Sequence, residues 1–226
     1  MGLEIDFNKY PLPKRLRHHT SPNLYFRLDE LKEPAGYYPP VIDSIDWIEV
    51  FADAKPPRNL DIGCGKGIFL LNYAYENPGS NILGIEIRRP AVNWINHVAA
   101  GENITNCAAL WYSVVNGLSF IPDCSVDNIF YLFPDPWPKQ KHVKRRAFSE
   151  EFLGEVKRIL IGSGRLWLAT DVPEVHQYHL KILSKDTEIY FHEAKLDEWN
   201  LPVNNKERFC IEVGLPVYRI IAGKKG

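Results

Sequence analysis

The sequence has no paired cysteines. Cys64, Cys107, Cys124 and Cys210 are widely separated and form no C-x-x-C motif, which argues against a zinc site or a disulfide framework and makes a reducing cytoplasm the simplest setting. It also lacks a positive excess: 27 Lys and Arg face 28 Asp and Glu, for a net charge of −1. Any nucleic-acid footprint must therefore be local. No run approaches 18 apolar residues, and the N-terminal M-G-L-E-I-D-F carries acids where a signal peptide has its apolar core. Neither a membrane span nor a signal peptide is expected. Repeats and low-complexity tracts are missing as well. What is present is a chain of 226 residues, 45% hydrophobic, enough for one sizeable α/β domain.

Residues 1–40 read as a proline-rich extension and 41–226 as the folded domain. Pro11, Pro13, Pro22, Pro34, Pro39 and Pro40 interrupt regular structure, among Lys9, Lys14, Arg15, Arg17, His18, His19 and Arg27. This is either a loose tail or a basic arm that orders on RNA. A short amphipathic helix is expected from Asp43 through Phe51. A strand over 58–62 then runs into Asp61-Ile-Gly-Cys-Gly-Lys-Gly67, and a helix follows up to Asn77-Pro78-Gly79. Strand, glycine turn and helix allow backbone to approach a nucleotide closely. The spacing is not the dinucleotide G-x-G-x-x-G, because Ile68 follows Gly67.

The next strand, 81–87, carries Glu86, 21 residues beyond Gly65. An acid at that distance can accept from both ribose hydroxyls of a nucleoside; an ordinary strand-end carboxylate is the plainer reading. A helix over 89–100 includes His97 as a surface or capping residue. Strands follow at 103–110 and 127–133, a helix over 148–160 stopped by Gly162-Ser163-Gly164, and a strand over 165–170. A helix over 174–184 and strands at 187–192 and 217–222 complete the series. Such alternation gives an α/β, doubly wound sheet.

The most unusual stretch is 133–146, F-P-D-P-W-P-K-Q-K-H-V-K-R-R. Three alternating prolines forbid both helix and central strand, so the chain leaves the sheet as a rigid loop. Asp135 sits inside this proline cage, Trp137 follows, and Lys139, Lys141, Lys144, Arg145 and Arg146 come within eight residues. A carboxylate at a strand end, an aromatic plate and clustered cations suit an anionic, planar substrate, nucleic acid above all. Taken alone, the same stretch also reads as a turn followed by a solvated basic face.

On this loop with its K-R-R tail, the N-terminal R-L-R-H-H-T-S-P and the acid-x-G-x-G-x-G turn, the chain resembles the tRNA (guanine-N7)-methyltransferases over most of its length. The resemblance implies a Rossmann-like sheet of seven strands, mostly parallel with an antiparallel last strand, S-adenosyl-L-methionine as methyl donor, and tRNA as partner. It implies cofactor binding by Asp61, Gly63, Gly65, Gly67, Glu86, Tyr112 and Asp135, with Asp135 also catalytic. RNA contacts fall to Lys139, Lys141, Lys144, Arg145, Arg146, Asp171, Glu207, Arg208, Phe209 and Cys210. No metal is expected, and both a monomer and a weak homodimer are open.

Two positions depart from the family. Leu110-Trp111-Tyr112 stands where an acid or Asn followed by Ala meets the adenine. Glu207-Arg208-Phe209-Cys210 stands for Thr-Arg/Lys-Phe-Glu, with Phe209 expected in the core and Glu207 beside RNA phosphates. Exchanging Glu207 for Thr and Cys210 for Glu would on that register strengthen tRNA turnover. Alternatives are a methyltransferase acting on an exocyclic amine or another RNA base, a non-catalytic RNA-binding relative, and a nicotinamide oxidoreductase, the last disfavoured by the glycine spacing.

Overall fold

A computed structural model describes residues 2–14, 21–137 and 144–226. Among these residues seven strands form one sheet: β1 (Asn59–Ile62), β2 (Ile82–Glu86), β3 (Cys107–Trp111), β4 (Val126–Leu132), β5 (Leu160–Thr170), β6 (Ile189–Glu193) and β7 (Tyr218–Lys224). Their order is β3-β2-β1-β4-β5-β7-β6. Strands β1 to β5 pair in parallel, whereas β7 runs antiparallel to both β5 and β6. Successive connections leave β1 towards β2 on one side and reach β4 on the other. That reversal opens a crevice beyond the carboxyl ends of β1 and β4, where ligands bind in sheets of this kind.

The strands are apolar because helices cover both faces. Helices α1 (Ile68–Glu76) and α2 (Arg89–Gly101) pack Leu70, Leu71, Ile95 and Val98 against Phe130, Trp167 and Ile221. On the other face, α3 (Glu150–Ile159) and α4 (Pro173–Leu183) set Phe152, Val156 and Leu183 against Ile129, Tyr131, Leu166 and Leu168. Neighbouring residues of β4 and β5 thus enter opposite cores, as the two-residue period requires. The hydroxyl of Ser149 caps α3 by accepting from the Phe152 amide, with Glu150 and Glu151 in the first turn and Lys157 and Arg158 in the last, in keeping with the helix dipole.

Three expectations needed correction. Asp43 to Phe51 is no helix; only a 3-10 turn, Trp47–Glu49, forms there, capped by Asp46, and Ile48 stays exposed. The glycines at 162 and 164 do not end α3, which stops at Ile159; they lie within the long β5. A Cβ on Gly164 would come 3.0 Å from the Val126 carbonyl oxygen, where the β4–β5 register shifts. Gly164 therefore permits close backbone approach at a bulge. Finally, α5 (Asn205–Val213) was not anticipated, because its N-K-E-R start lacks apolar periodicity; Asn204 caps it and left-handed Gly214 ends it.

Among the described residues, no helix is long and apolar enough to cross a membrane. The first described segment docks on α2: the Tyr10 hydroxyl donates to Glu102 at 2.8 Å, and the Trp94 indole donates to the Tyr10 carbonyl at 3.1 Å. Phe148 leads into α3 from the proline loop and is fully buried against Tyr131, Phe152 and His179. Phe148→Ala should lower unfolding stability by about 3–5 kcal/mol in denaturant titration; a loss under about 1 kcal/mol would show that this junction is not core.

Candidate active site

The crevice is a cleft of about 650 Å³ lined from the ends of β1, β2, β4 and β5, a size typical of small-molecule sites. Its floor is made by two buried acids on neighbouring strands, Asp61 at 3% and Glu86 at 4% exposure. Glu86 accepts from the amides of Gly65 (2.9 Å) and Arg88 (3.0 Å) and from Arg88 Nε (2.8 Å). Asp61 is pushed up to about 8, first by burial and then by the charge of Glu86. Two acids held this close and dry call for hydrogen-bond donors or a cation from a ligand. Between them the loop takes positive φ at Gly63, Gly65 and Gly67. At Gly67 a Cβ would also fall 2.5 Å from Ile95 Cγ1, so that glycine lets the loop settle on α2 while α1 begins at the cleft.

The proline loop forms the mouth. It is bracketed by Phe133 (φ 52°) and Trp137 (φ 40°), left-handed positions that non-glycine residues rarely take. Asp135 lines the cleft, and its Oδ2 accepts from the Tyr25 hydroxyl at 2.5 Å. Arg146 Nε donates to the Pro136 carbonyl at 3.1 Å and Nη2 to that of Trp137 at 3.3 Å, while its guanidinium lies over Tyr178. The Arg145 guanidinium lies over the Trp137 ring. Both arginines, read as phosphate contacts in the sequence, are thus engaged in bracing the loop. Lys144 is exposed, and Lys139 and Lys141 lie outside the described residues.

The opposite wall corrects three further expectations. Phe209 is not core: its ring is 48% exposed, lines the cleft and has Lys206 Nζ 5.2 Å from its centroid. Glu207, expected beside RNA, is 4% exposed and paired with Arg219 at 2.6 Å. Cys210 is fully buried. The reason is the helix: positions 207 and 210 share the inward face of α5, and 206 and 209 the outward one. Arg208 is exposed, and Asp171 lines the cleft paired with Lys206 at 2.8 Å.

Tyr112 lines the cleft, yet its ring packs edge-on against Phe120 in the core, and its buried hydroxyl has no hydrogen-bond partner among the described residues. Ser113, Val114 and Val115 continue the same wall. Sequence reading missed these three, along with Tyr25, Arg88, Asn204 and Lys206. Arg88 stood two residues from Glu86, and Asn204 was recognisable as a cap three residues before Glu207; Tyr25 carried no local signal.

A family model described as "Putative methyltransferase" matches residues 55–218. The tRNA (guanine-N7)-methyltransferase of Synechococcus elongatus is 34% identical over 187 residues, covering 78% of this chain and 85% of that protein. That of Microcystis aeruginosa is 31% identical over 212 residues, covering 91% and 95%. The chain belongs to the tRNA (guanine-N7)-methyltransferase family.

Solved structures share the fold: a precorrin-6y C5,15-methyltransferase from Geobacter metallireducens has a TM-score of 0.53 at 17% identity, covering 98% of each chain. An S-adenosylmethionine-dependent methyltransferase from Aquifex aeolicus has 0.51 at 16%, covering 90% of this chain and 98% of that one. Asn204 lines the cleft as the cap of α5 and accepts from the Glu207 amide at 2.8 Å, while Glu207 itself turns inward to Arg219. The exchange Glu207→Thr with Cys210→Glu should therefore harm the protein. It strips Arg219 of its carboxylate and buries another at 210, at a cost of about 3–5 kcal/mol. Thermal unfolding of the double variant checks this; a stability equal to wild type would show that the inward face of α5 does not depend on these two residues.

Proposed function

We propose that this protein transfers a methyl group from S-adenosyl-L-methionine to N7 of a guanine in tRNA, as the names of its relatives describe for them. The observation that carries this reading is the convergence on one cleft of the glycine loop, the acids Asp61 and Glu86, and Asp135 in the proline loop. The site fits the methyl donor: two dry carboxylates match ribose hydroxyls and positive charge, and three left-handed glycines leave backbone free to approach. When bound, the donor supplies a methyl group made electrophilic by a sulfonium.

Each residue then has a definite task. Glu86 accepts from the ribose hydroxyls, sharing its oxygens with Gly65 and Arg88. Asp61 offers negative charge to the cationic part of the donor. Gly63, Gly65 and Gly67 shape the loop, and the wall from Tyr112 to Val115 faces the adenine side, with Tyr112 contributing backbone rather than its buried ring. Guanine N7 holds its lone pair in the ring plane, so no general base is required, and holding N7 in line with the methyl carbon is the main demand. Positioning of this kind can lower a barrier by about 7–11 kcal/mol. Positive charge develops on the purine as the bond forms, and Asp135 stabilises it electrostatically.

On the RNA side, Phe209 offers an exposed ring for stacking, with Lys206, paired to Asp171, over that ring and Arg208 nearby on α5. Exposed Lys144, with Lys139 and Lys141, meets phosphates, while Arg145 and Arg146 act mainly through the loop. The unpaired cysteines fit a cytoplasmic enzyme.

The test is nucleoside mass spectrometry of tRNA incubated with protein and labelled donor. Label is expected in 7-methylguanosine, and label in another nucleoside would favour a related base or exocyclic-amine methyltransferase. Asp135→Asn keeps the loop's shape without its charge and should slow single-turnover transfer by about 100-fold with tRNA affinity little changed. A wild-type rate would remove Asp135 from the chemistry.

A further inference from the structure

Tyr25 belongs to the N-terminal forty residues, far in sequence from the proline loop, yet it touches that loop on both sides of Pro136. Its hydroxyl donates to Asp135 Oδ2 at 2.5 Å, and its ring meets Trp137 edge-on at 4.9 Å between centroids. It also lines the cleft. We propose that Tyr25 is a positioning residue for methyl transfer: it fixes the orientation of the Asp135 carboxylate, and residues 21–40 form a strap that delivers it across the cleft.

The strap is anchored so as to hold one placement. Leu24 is buried and its carbonyl accepts from the Ser113 hydroxyl at 2.8 Å. The Leu28 amide donates to Asn116 Oδ1 at 2.9 Å. Asn116 Nδ2 in turn donates to the Tyr38 hydroxyl at 2.9 Å, and that hydroxyl donates to the Phe26 carbonyl at 2.7 Å. Three of these links tie the strap to the connection between β3 and β4, whose first residues are themselves a wall of the cleft, and the fourth, from Tyr38 to Phe26, holds the strap to itself. Tyr25 spans from this wall to the loop on the far side.

A carboxylate on a free side chain samples several rotamers about χ1 and χ2. A charge-assisted hydrogen bond to one oxygen, from a ring wedged between an anchored strap and Trp137, selects one of them. Because the effect of Asp135 is electrostatic, its value depends on being in place before charge develops on the guanine. A donor fixed by the protein itself provides that preorganisation.

Tyr25→Phe isolates the hydroxyl, since the ring and its contact with Trp137 remain. Expected is a single-turnover rate about tenfold lower at saturating tRNA and donor, with donor affinity within about twofold and the melting temperature essentially unchanged. In the Asp135→Asn background the same change should add little, because the group it positions has lost its charge. A wild-type rate for Tyr25→Phe, or an undiminished tenfold loss on top of Asp135→Asn, would overturn the inference. So would a loss confined to donor affinity. The inference rests on the methyl-transfer reading, and the controls separate the two. Wild type that forms no 7-methylguanosine overturns both, whereas an active wild type slowed by Asp135→Asn but not by Tyr25→Phe overturns this one alone.

Discussion

Two carboxylates on adjacent parallel strands, both almost without solvent, set the terms for the rest of the cleft. Burial of one ionised acid is costly and burial of two beside each other more so. The structure answers at Glu86 with the Gly65 and Arg88 amides and the Arg88 guanidinium, and at Asp61 with a raised proton affinity. The glycine loop is part of that answer, since Gly65, in a left-handed turn, gives its amide to Glu86. Linkage gives a direction: the folded protein binds the Asp61 proton more tightly than the unfolded chain does. The stability this supplies is fully present below about pH 4 and is lost as pH rises through about 8. Two dry acids side by side carry an electrostatic cost that a cationic ligand would relieve.

The mouth of the cleft follows a different logic. Backbone in the left-handed region at Phe133 and Trp137 costs of order 1–3 kcal/mol at each residue. The proline cage limits what else the loop can do, and Arg146, holding two of its carbonyls, fixes what remains. Tyr25 adds a restraint from a distant part of the chain. Basic residues that sequence reading assigned to RNA therefore divide their work. Arg145 and Arg146 face inward on the loop, and the exposed Lys144 faces solvent.

Much of this was readable beforehand, for definite reasons. Strand-end acids, glycine spacing and the proline cage are local patterns, and local patterns fixed the order of elements, the crevice and the placement of Asp61, Glu86 and Asp135. Interactions made between distant segments were not readable: nothing around Tyr25 points to Asp135, 110 residues away. The error at 207–210 has another cause. With no apolar period to announce α5, the segment was read without a helical face, and Phe209 and Glu207 were exchanged between core and cleft. Gly162 and Gly164 misled because a glycine that ends a helix and one that admits a bulge look alike in sequence.

In the proposed function the buried acid pair receives the positively charged methyl donor. The most direct measurement is calorimetry of S-adenosyl-L-methionine binding at pH 7 in buffers of different ionisation enthalpy, for wild type and Asp61→Asn. Burial and the charge of Glu86 raise the proton affinity of Asp61 in the free protein, and a bound cation favours its ionised form. Wild type should therefore release protons as the donor binds, with affinity rising as pH approaches about 8, and Asp61→Asn should release none. Binding without proton release in wild type, or with the same release in the variant, would contradict the account.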